Sequence, residues 1–290
     1  MPLRPSSDLA GVELVRRYRL ASPLGQGGSG EVYRATDSRL GREVAIKVFA
    51  LGTASQSEIR QYAAEARVLA GLSHPGLVAL LDVGADTLRE AGPVAFLVTE
   101  LVDGRTLRDT LADGPLEPGL VADVGLQLAR ALDHAHGAGV VHRDVKPSNV
   151  LVAPDRASGG GSEAPWLPVV LADFGIARAA TPGAGSEQLT SGTAGYISPE
   201  QALGEQVGPS ADVYSLGLVL LECLTGERAY PGDPLASSLA RLLSPVSVPE
   251  RFGADWVRLL TAMTTTESDG RPPMPAVIAE LRALRRASTR

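Results

Sequence analysis

At 290 residues the chain can hold one large domain or two ordinary ones, and its 44% hydrophobic content is ample for a core. A formal net charge of -6 argues against nucleic acid as the main partner, because binding a phosphate backbone needs a basic face. The single cysteine, Cys223, sits in an apolar run and offers no disulfide, which fits a reducing compartment and the role of a small core hydrophobe.

Met1 to Ala10 has no continuous apolar segment, so no secretory signal is predicted, and the longest apolar run, near Ser215 to Leu224, is far short of the ~20 residues that span a bilayer. A soluble, cytoplasmic chain is therefore expected. Residues 1–17 show no periodicity and read as an extension. From Tyr18 the pattern changes to short extended runs. The stretch Leu24-Gly25-Gln26-Gly27-Gly28-Ser29-Gly30-Glu31-Val32 is a glycine-rich turn whose backbone N–H groups can approach phosphates closely. A dinucleotide-binding fold would continue into a helix, whereas Glu31 to Thr36 reads as a strand.

Arg42 to Phe49 alternates as a further strand and carries Ala45 and Lys47. Of the 27 basic residues only Lys47 and Lys146 are lysines. A compact ammonium fits between phosphate oxygens and a carboxylate where a planar guanidinium does not, which marks both positions for chemistry. Between Ser55 and Leu72 the residues Ile59, Tyr62, Ala63, Ala66, Leu69 and Ala70 recur at helical spacing, with Glu65 on the same helix. Strands over Leu77 to Val83 and Val94 to Thr99 lead to Glu100-Leu101-Val102. A helix with the stripe Val121, Val124, Leu128, Ala131, Leu132 and Ala135 follows and ends near Gly137 and Gly139. His134 and His136 close it, and two residues of spacing do not face one way on a helix, which disfavours a metal pair.

The nine residues Val141-His142-Arg143-Asp144-Val145-Lys146-Pro147-Ser148-Asn149 put an acid, a lysine and an asparagine on one short loop: a base, a cation and a metal ligand. Val150 to Val152 reads as a strand. Residues 153–168 have the composition of a surface loop. A strand over Val169 to Ala172 then delivers Asp173-Phe174-Gly175, 24 residues after Asn149. The segment from Asp173 to Ser198-Pro199-Glu200 is rich in Ser, Thr, Gly and Ala, suited to ordering by phosphorylation. A wholly buried helix near Asp212 and two later ones, around Asp255 to Met263 and Pro275 to Leu284, complete the chain.

With these motifs in this order, the chain resembles serine/threonine protein kinases, most like the bacterial ones, over roughly Tyr18 to Arg286. The resemblance implies an α+β, bilobal fold. A small antiparallel sheet with one helix spans 18–101, a larger and mainly helical lobe spans 102–287, ATP lies between them, and 288–290 form a tail. It implies that Leu24 to Val32, Ala45, Lys47, Glu100, Val102 and Leu151 bind ATP, that Glu65 pairs with Lys47, and that Thr99 gates the pocket behind adenine. Asp144 is then the base, Lys146 the partner of the γ-phosphate, and Asn149 and Asp173 the ligands of Mg²⁺, or of Mn²⁺ in its place. Arg143 reads as a docking group for an activation-segment phosphate, with Thr190 the first candidate and Ser191, Ser186 and Thr181 the others. Thr193 would touch Asp144 and Lys146, Glu200 would pair with Arg271, and Asp212 would brace the catalytic loop. Ser198 stands where alanine is usual. Ile176 leans towards threonine acceptors, and Ser148 towards no demand for basic residues upstream of the acceptor. Protein substrates and a homodimer through the small lobe are the partners implied. A pseudokinase scaffold would lack one of Lys47, Asp144, Asn149 or Asp173, and a small-molecule kinase would lack the segment ending at Glu200.

Overall fold

A computed structural model describes residues 9–27, 30–51, 66, 68–89, 91–153, 167–174 and 194–288. The chain forms two compact units. The described residues of the first fall within Met1–Ser73 and Val78–Val102, and those of the second within His74–Leu77, Asp103–Gly175 and Leu189–Arg290. Among the described residues no helix is long and apolar enough to cross a membrane.

The first unit is built on six strands, β1 (Glu13–Leu14), β2 (Tyr18–Gly27), β3 (Gly30–Asp37), β4 (Arg42–Ala50), β5 (Leu80–Leu88) and β6 (Gly92–Glu100). They form one antiparallel sheet in the order β1-β2-β3-β4-β6-β5. Alternation decides its two faces. Val44, Ile46 and Val48 of β4 point into a core with Leu20, Tyr33, Ala35, Phe96 and Val98, so Ala45 and Lys47 take the opposite face. Residues 66 and 68–70 are helical, on the segment where the apolar spacing predicts a helix; the rest of that segment lies outside the described residues.

The expected extension is part of this unit where it is described. Leu9 and Leu14 are buried in the sheet's core, and Leu14 pairs with Tyr18. The connecting turn holds Val15 and Arg16 at positive φ, costly for non-glycine residues, and is pinned by its neighbours. Val15 N donates to Asp86 Oδ2 at 2.7 Å; Arg17 grips Asp37 at 2.9 and 2.7 Å and reaches Asp82 at 2.8 Å. The Arg17 hydrogen bond holds the buried Asp37 carboxyl down at about 2.

The second unit carries a three-stranded sheet, β7 (Arg105–Thr106), β8 (Val150–Val152) and β9 (Val169–Leu171), and the helices α1 (Leu107–Leu111), α2 (Pro118–Gly137), α3 (Pro199–Leu203), α4 (Pro209–Thr225), α5 (Pro234–Leu243), α6 (Ala254–Met263) and α7 (Met274–Ser288). The predicted stripe of α2 is buried at every position from Val121 to Ala135. Helix α4 is buried almost all round, as its unbroken apolar run requires. A Cβ on Gly217 would come within 2.9 Å of Thr264, so the glycine lets α4 lie close to the end of α6. His74–Leu77, read as leading straight into a strand, belongs instead to this unit: Leu171 N donates to Gly76 O at 2.9 Å and the His74 ring stacks on His134 at 5.3 Å. The strand proper starts at Leu80.

Candidate active site

In the second unit the loop that carries Asp144, Lys146 and Asn149 runs from the end of α2 through a 3₁₀ turn, Pro147–Asn149, into β8. Its anchor is Asp212 in the first turn of α4, a fully buried carboxylate. Asp212 Oδ1 accepts from Arg143 N at 2.8 Å, and Oδ2 accepts from His142 N and His136 Nε2, both at 2.8 Å. His136, which the sequence reads only as a helix-end residue, therefore braces the loop from α2. A separation of 76 residues hides that pair from any sequence window.

Around that anchor the reactive groups are placed by short contacts. Asp144 Oδ2 accepts from Lys146 Nζ at 2.8 Å and from Asn149 Nδ2 at 3.0 Å, and the same Nδ2 donates to Asp144 O at 2.8 Å. Two donors thus converge on one carboxylate oxygen, and none among the described residues takes Oδ1. With Nδ2 committed to Asp144, the Asn149 Oδ1 is left as a neutral hard acceptor. Ala172 N donates to Asn149 O at 2.8 Å, which ties the residue before Asp173 to the asparagine. Asp173 itself has φ +61 and Arg143, the residue before Asp144, φ +64, two non-glycine residues in left-handed backbone.

His142 is buried with its ring against Phe174, centroids 4.7 Å apart. Its Nε2 donates to Ala172 O at 3.1 Å and its Nδ1 accepts from Asp144 N at 3.3 Å, so the neutral ring joins the Asp144 loop to the strand end carrying Asp173. Burial pushes its pKa below the usual value, although the carboxylates of Asp212 and Asp144 pull the other way. The unfolded state therefore binds a proton below about pH 6.5 that the folded state refuses, and stability rises with pH through that window. The expected slope from this group is at most about 1.4 kcal/mol per pH unit, lost in His142→Asn; equal slopes in urea titrations of both proteins would contradict it. His74, lowered by burial, His134 and Arg130, adds to the slope in both proteins alike.

In the first unit, Val32 lies opposite Lys47 and Lys47 opposite Leu97, while Ala45 lies opposite Thr99 and Gly25 opposite Val32. Facing partners share a side of the sheet, so these candidates for nucleotide contact line one face, away from the core. Gly30 has φ +138, and a Cβ there would meet Val48 O at 2.5 Å, which only glycine tolerates. Leu24 is exposed and Glu31 half-buried. Gln26 and Gly27 are strand residues of β2. Glu100 closes β6, its N–H bonded to Ala79 O at 3.0 Å and its carboxylate to Ala79 N at 2.9 Å, and Val102 follows without regular structure. Thr99 Oγ1 donates to Ala45 O at 3.4 Å. Leu151 is the middle residue of β8 in the second unit, paired with Thr106 and Val170. Gly28, Ser29, Glu65, Gly175, Thr181, Ser186, Thr190, Ser191 and Thr193, and loop residues 154–166, lie outside the described residues.

Among the described residues no three His, Cys, Asp or Glu side chains cluster as a metal cage. The donors Asn149 Oδ1 and the Asp173 carboxylate are hard oxygens, and two protein ligands suit a magnesium ion, which keeps waters and takes phosphate oxygens for the rest. The pair fits that ion.

A carboxylate bridged to a lysine and an asparagine, braced by a buried aspartate and followed by a strand that delivers a second aspartate, is an arrangement that protein kinases share, and the chain belongs to that family: the protein kinase domain matches residues 18–279. The chain is 43% identical over 230 residues to the serine/threonine-protein kinase PknA of Mycobacterium tuberculosis, covering 78% of this chain and 51% of that one. It is 42% identical over 246 residues to the serine/threonine-protein kinase PknB of Mycolicibacterium smegmatis, covering 82% and 37%. The chain thus spans about half the length, or less, of these curated relatives.

Proposed function

We propose that the chain transfers the γ-phosphoryl group of ATP to serine and threonine hydroxyls of proteins, in bacterial signalling, from the cytoplasm. The observation that carries this reading is the convergence of Lys146 and Asn149 on one oxygen of Asp144. It aims the carboxylate and leaves its second oxygen for an acceptor hydroxyl. Asp144 takes the hydroxyl proton, Lys146 holds the transferring phosphate, and Lys47 contacts the α- and β-phosphates with Glu65 as its partner. Leu24 to Val32, Ala45, Glu100, Val102 and Leu151 hold the nucleotide. Asn149 and Asp173 would hold Mg²⁺, which bridges phosphate oxygens and neutralises their charge. Catalysis on this reading is positioning and charge neutralisation rather than covalent chemistry.

The chain retains Lys47, Asp144, Asn149 and Asp173, all four groups a scaffold-only relative would be free to lose. Activation is proposed to follow autophosphorylation within Thr181 to Thr193, docked by Arg143, and a homodimer through the sheet unit would bring two such segments together. Incubation with γ-labelled ATP, Mg²⁺ and a generic threonine-containing protein is expected to label protein, with phosphothreonine above phosphoserine and no phosphotyrosine. Label confined to small-molecule acceptors would overturn the reading, and a 181–193 peptide that mass spectrometry finds unmodified would remove autophosphorylation from it.

A further inference from the structure

The backbone carbonyl of Arg143 accepts a hydrogen bond from the side chain of Gln201, Nε2 to O at 2.9 Å, across 58 residues of sequence. Gln201 is the third residue of α3, and its other amide end is fixed. Oε1 accepts from Ser198 N at 3.0 Å and from Ser198 Oγ at 3.2 Å, while Ser198 Oγ accepts from Gln201 N at 3.4 Å. This is a reciprocal capping box, with Ser198 fully buried. Two donors on Oε1 decide which way the amide faces, so Nε2 can only present its protons away from Ser198, towards the loop.

Arg143 is therefore held on both sides. Its N–H is bonded to Asp212 of α4 and its carbonyl to Gln201 of α3, and between those bonds it has φ +64, a left-handed conformation that is strained for a non-glycine residue. The peptide plane that Gln201 grips leads directly into Asp144. Rotation of that plane would carry the Asp144 carboxylate away from Lys146 and Asn149. Glu200, the neighbour of Gln201, is in turn locked by two bonds from Arg271 at 2.7 and 2.8 Å, so the gripping residue stands on a rigid base.

We infer that Gln201 is a positioning residue for Asp144, acting through the 143–144 peptide, and that Ser198 serves catalysis by orienting the Gln201 amide. An alanine at 198 would keep the backbone N–H that Oε1 accepts and lose both hydroxyl contacts, so the serine adds a second donor to the Gln201 amide oxygen. The inference rests on the proposed role of Asp144 as base.

Gln201→Glu separates capping from positioning. A carboxylate still accepts from Ser198 N–H and Oγ–H, so the cap survives, but it has no proton for Arg143 O. The expected result is a kcat lowered roughly 10- to 100-fold, as for a misplacement of about 1 Å, with KM for ATP unchanged and the protein still folded at the assay temperature. A kcat within two-fold of the parent would reduce Gln201 to a helix cap and overturn the inference. Should this variant fail to fold, Gln201→Met carries the same test, because it keeps the length of the side chain and has no proton for Arg143 O: kcat falls and KM for ATP holds, whereas a parental rate overturns the inference. In an Asp144→Asn background Gln201→Glu is expected to cost nothing further, because its target is gone; an undiminished effect there would place its action elsewhere. Failure of the underlying reading shows differently, as Asp144→Asn retaining the parental rate by itself.

Discussion

Asp144→Asn is expected to lower kcat for protein phosphorylation about 10²- to 10⁴-fold, the usual contribution of a general base, while the thermal midpoint and ATP affinity stay near those of the parent. The side chain is largely buried, 16% exposed, and one of its oxygens takes both loop donors, Lys146 Nζ and Asn149 Nδ2. An asparagine keeps one oxygen for those two bonds, so the loop geometry survives. Its NH₂ then occupies the side where the carboxylate would receive the acceptor proton, and an amide cannot take it. Substrate is bound as before and the chemical step is lost. Single-turnover rates with labelled ATP, beside the ATP dissociation constant, measure both halves of the claim. A variant with parental kcat would remove Asp144 as the base.

What was legible in the sequence is what chemistry constrains locally. Asp144, Lys146 and Asn149 fall within six residues on one loop, and together they offer a carboxylate, an ammonium and a neutral amide oxygen, the set that protein kinases use. The strand alternation that turns Lys47 away from the core was equally readable, because period two leaves no other choice once Val44, Ile46 and Val48 are inside. Helix α5 was hidden for the opposite reason. Its leucines Leu235, Leu239 and Leu243 are exposed, while Ser237 and Arg241 are buried, so its apolar spacing marks the outer face. Arg241 goes inside because backbone carbonyls of Ala194 and Ile197 receive its guanidinium, partners more than forty residues away. Leu9 and Leu14 were missed similarly: two leucines five residues apart carry no period, and only the sheet makes their burial favourable. The His136–Asp212 and Gln201–Arg143 bonds are long-range polar contacts of residues that look ordinary in their own neighbourhoods.

Glu200→Ala is expected to cost about 3–5 kcal/mol of stability, the largest loss foreseen for a single side chain outside the reactive loop. Arg271 is fully buried and Glu200 nearly so, at 0% and 8% side-chain exposure. The guanidinium forks onto both carboxylate oxygens at 2.7 and 2.8 Å. Its remaining protons go to Ser210 O at 3.0 Å, Thr265 O at 2.8 Å and Thr266 O at 2.9 Å. One cation thus ties α3, the start of α4 and the loop before α7. Burial alone would raise the Glu200 pKa, but the bonds from Arg271 outweigh it and hold the carboxyl below its usual value. Removing the carboxylate leaves a buried cation facing three neutral carbonyls and the ring of Tyr214, none of which replaces a full negative charge. Thermal denaturation should show a drop of roughly 10 °C in this variant. Glu200→Met combined with Arg271→Leu should regain much of it, since desolvating a charge is the dominant cost and neither charge then remains. If the double variant is no more stable than Glu200→Ala, the loss comes from packing and not from the unpaired cation. Because Gln201 stands on the same turn as Glu200, the single variant should also lose kcat at temperatures where it is still folded, and the double variant should recover stability further than it recovers rate.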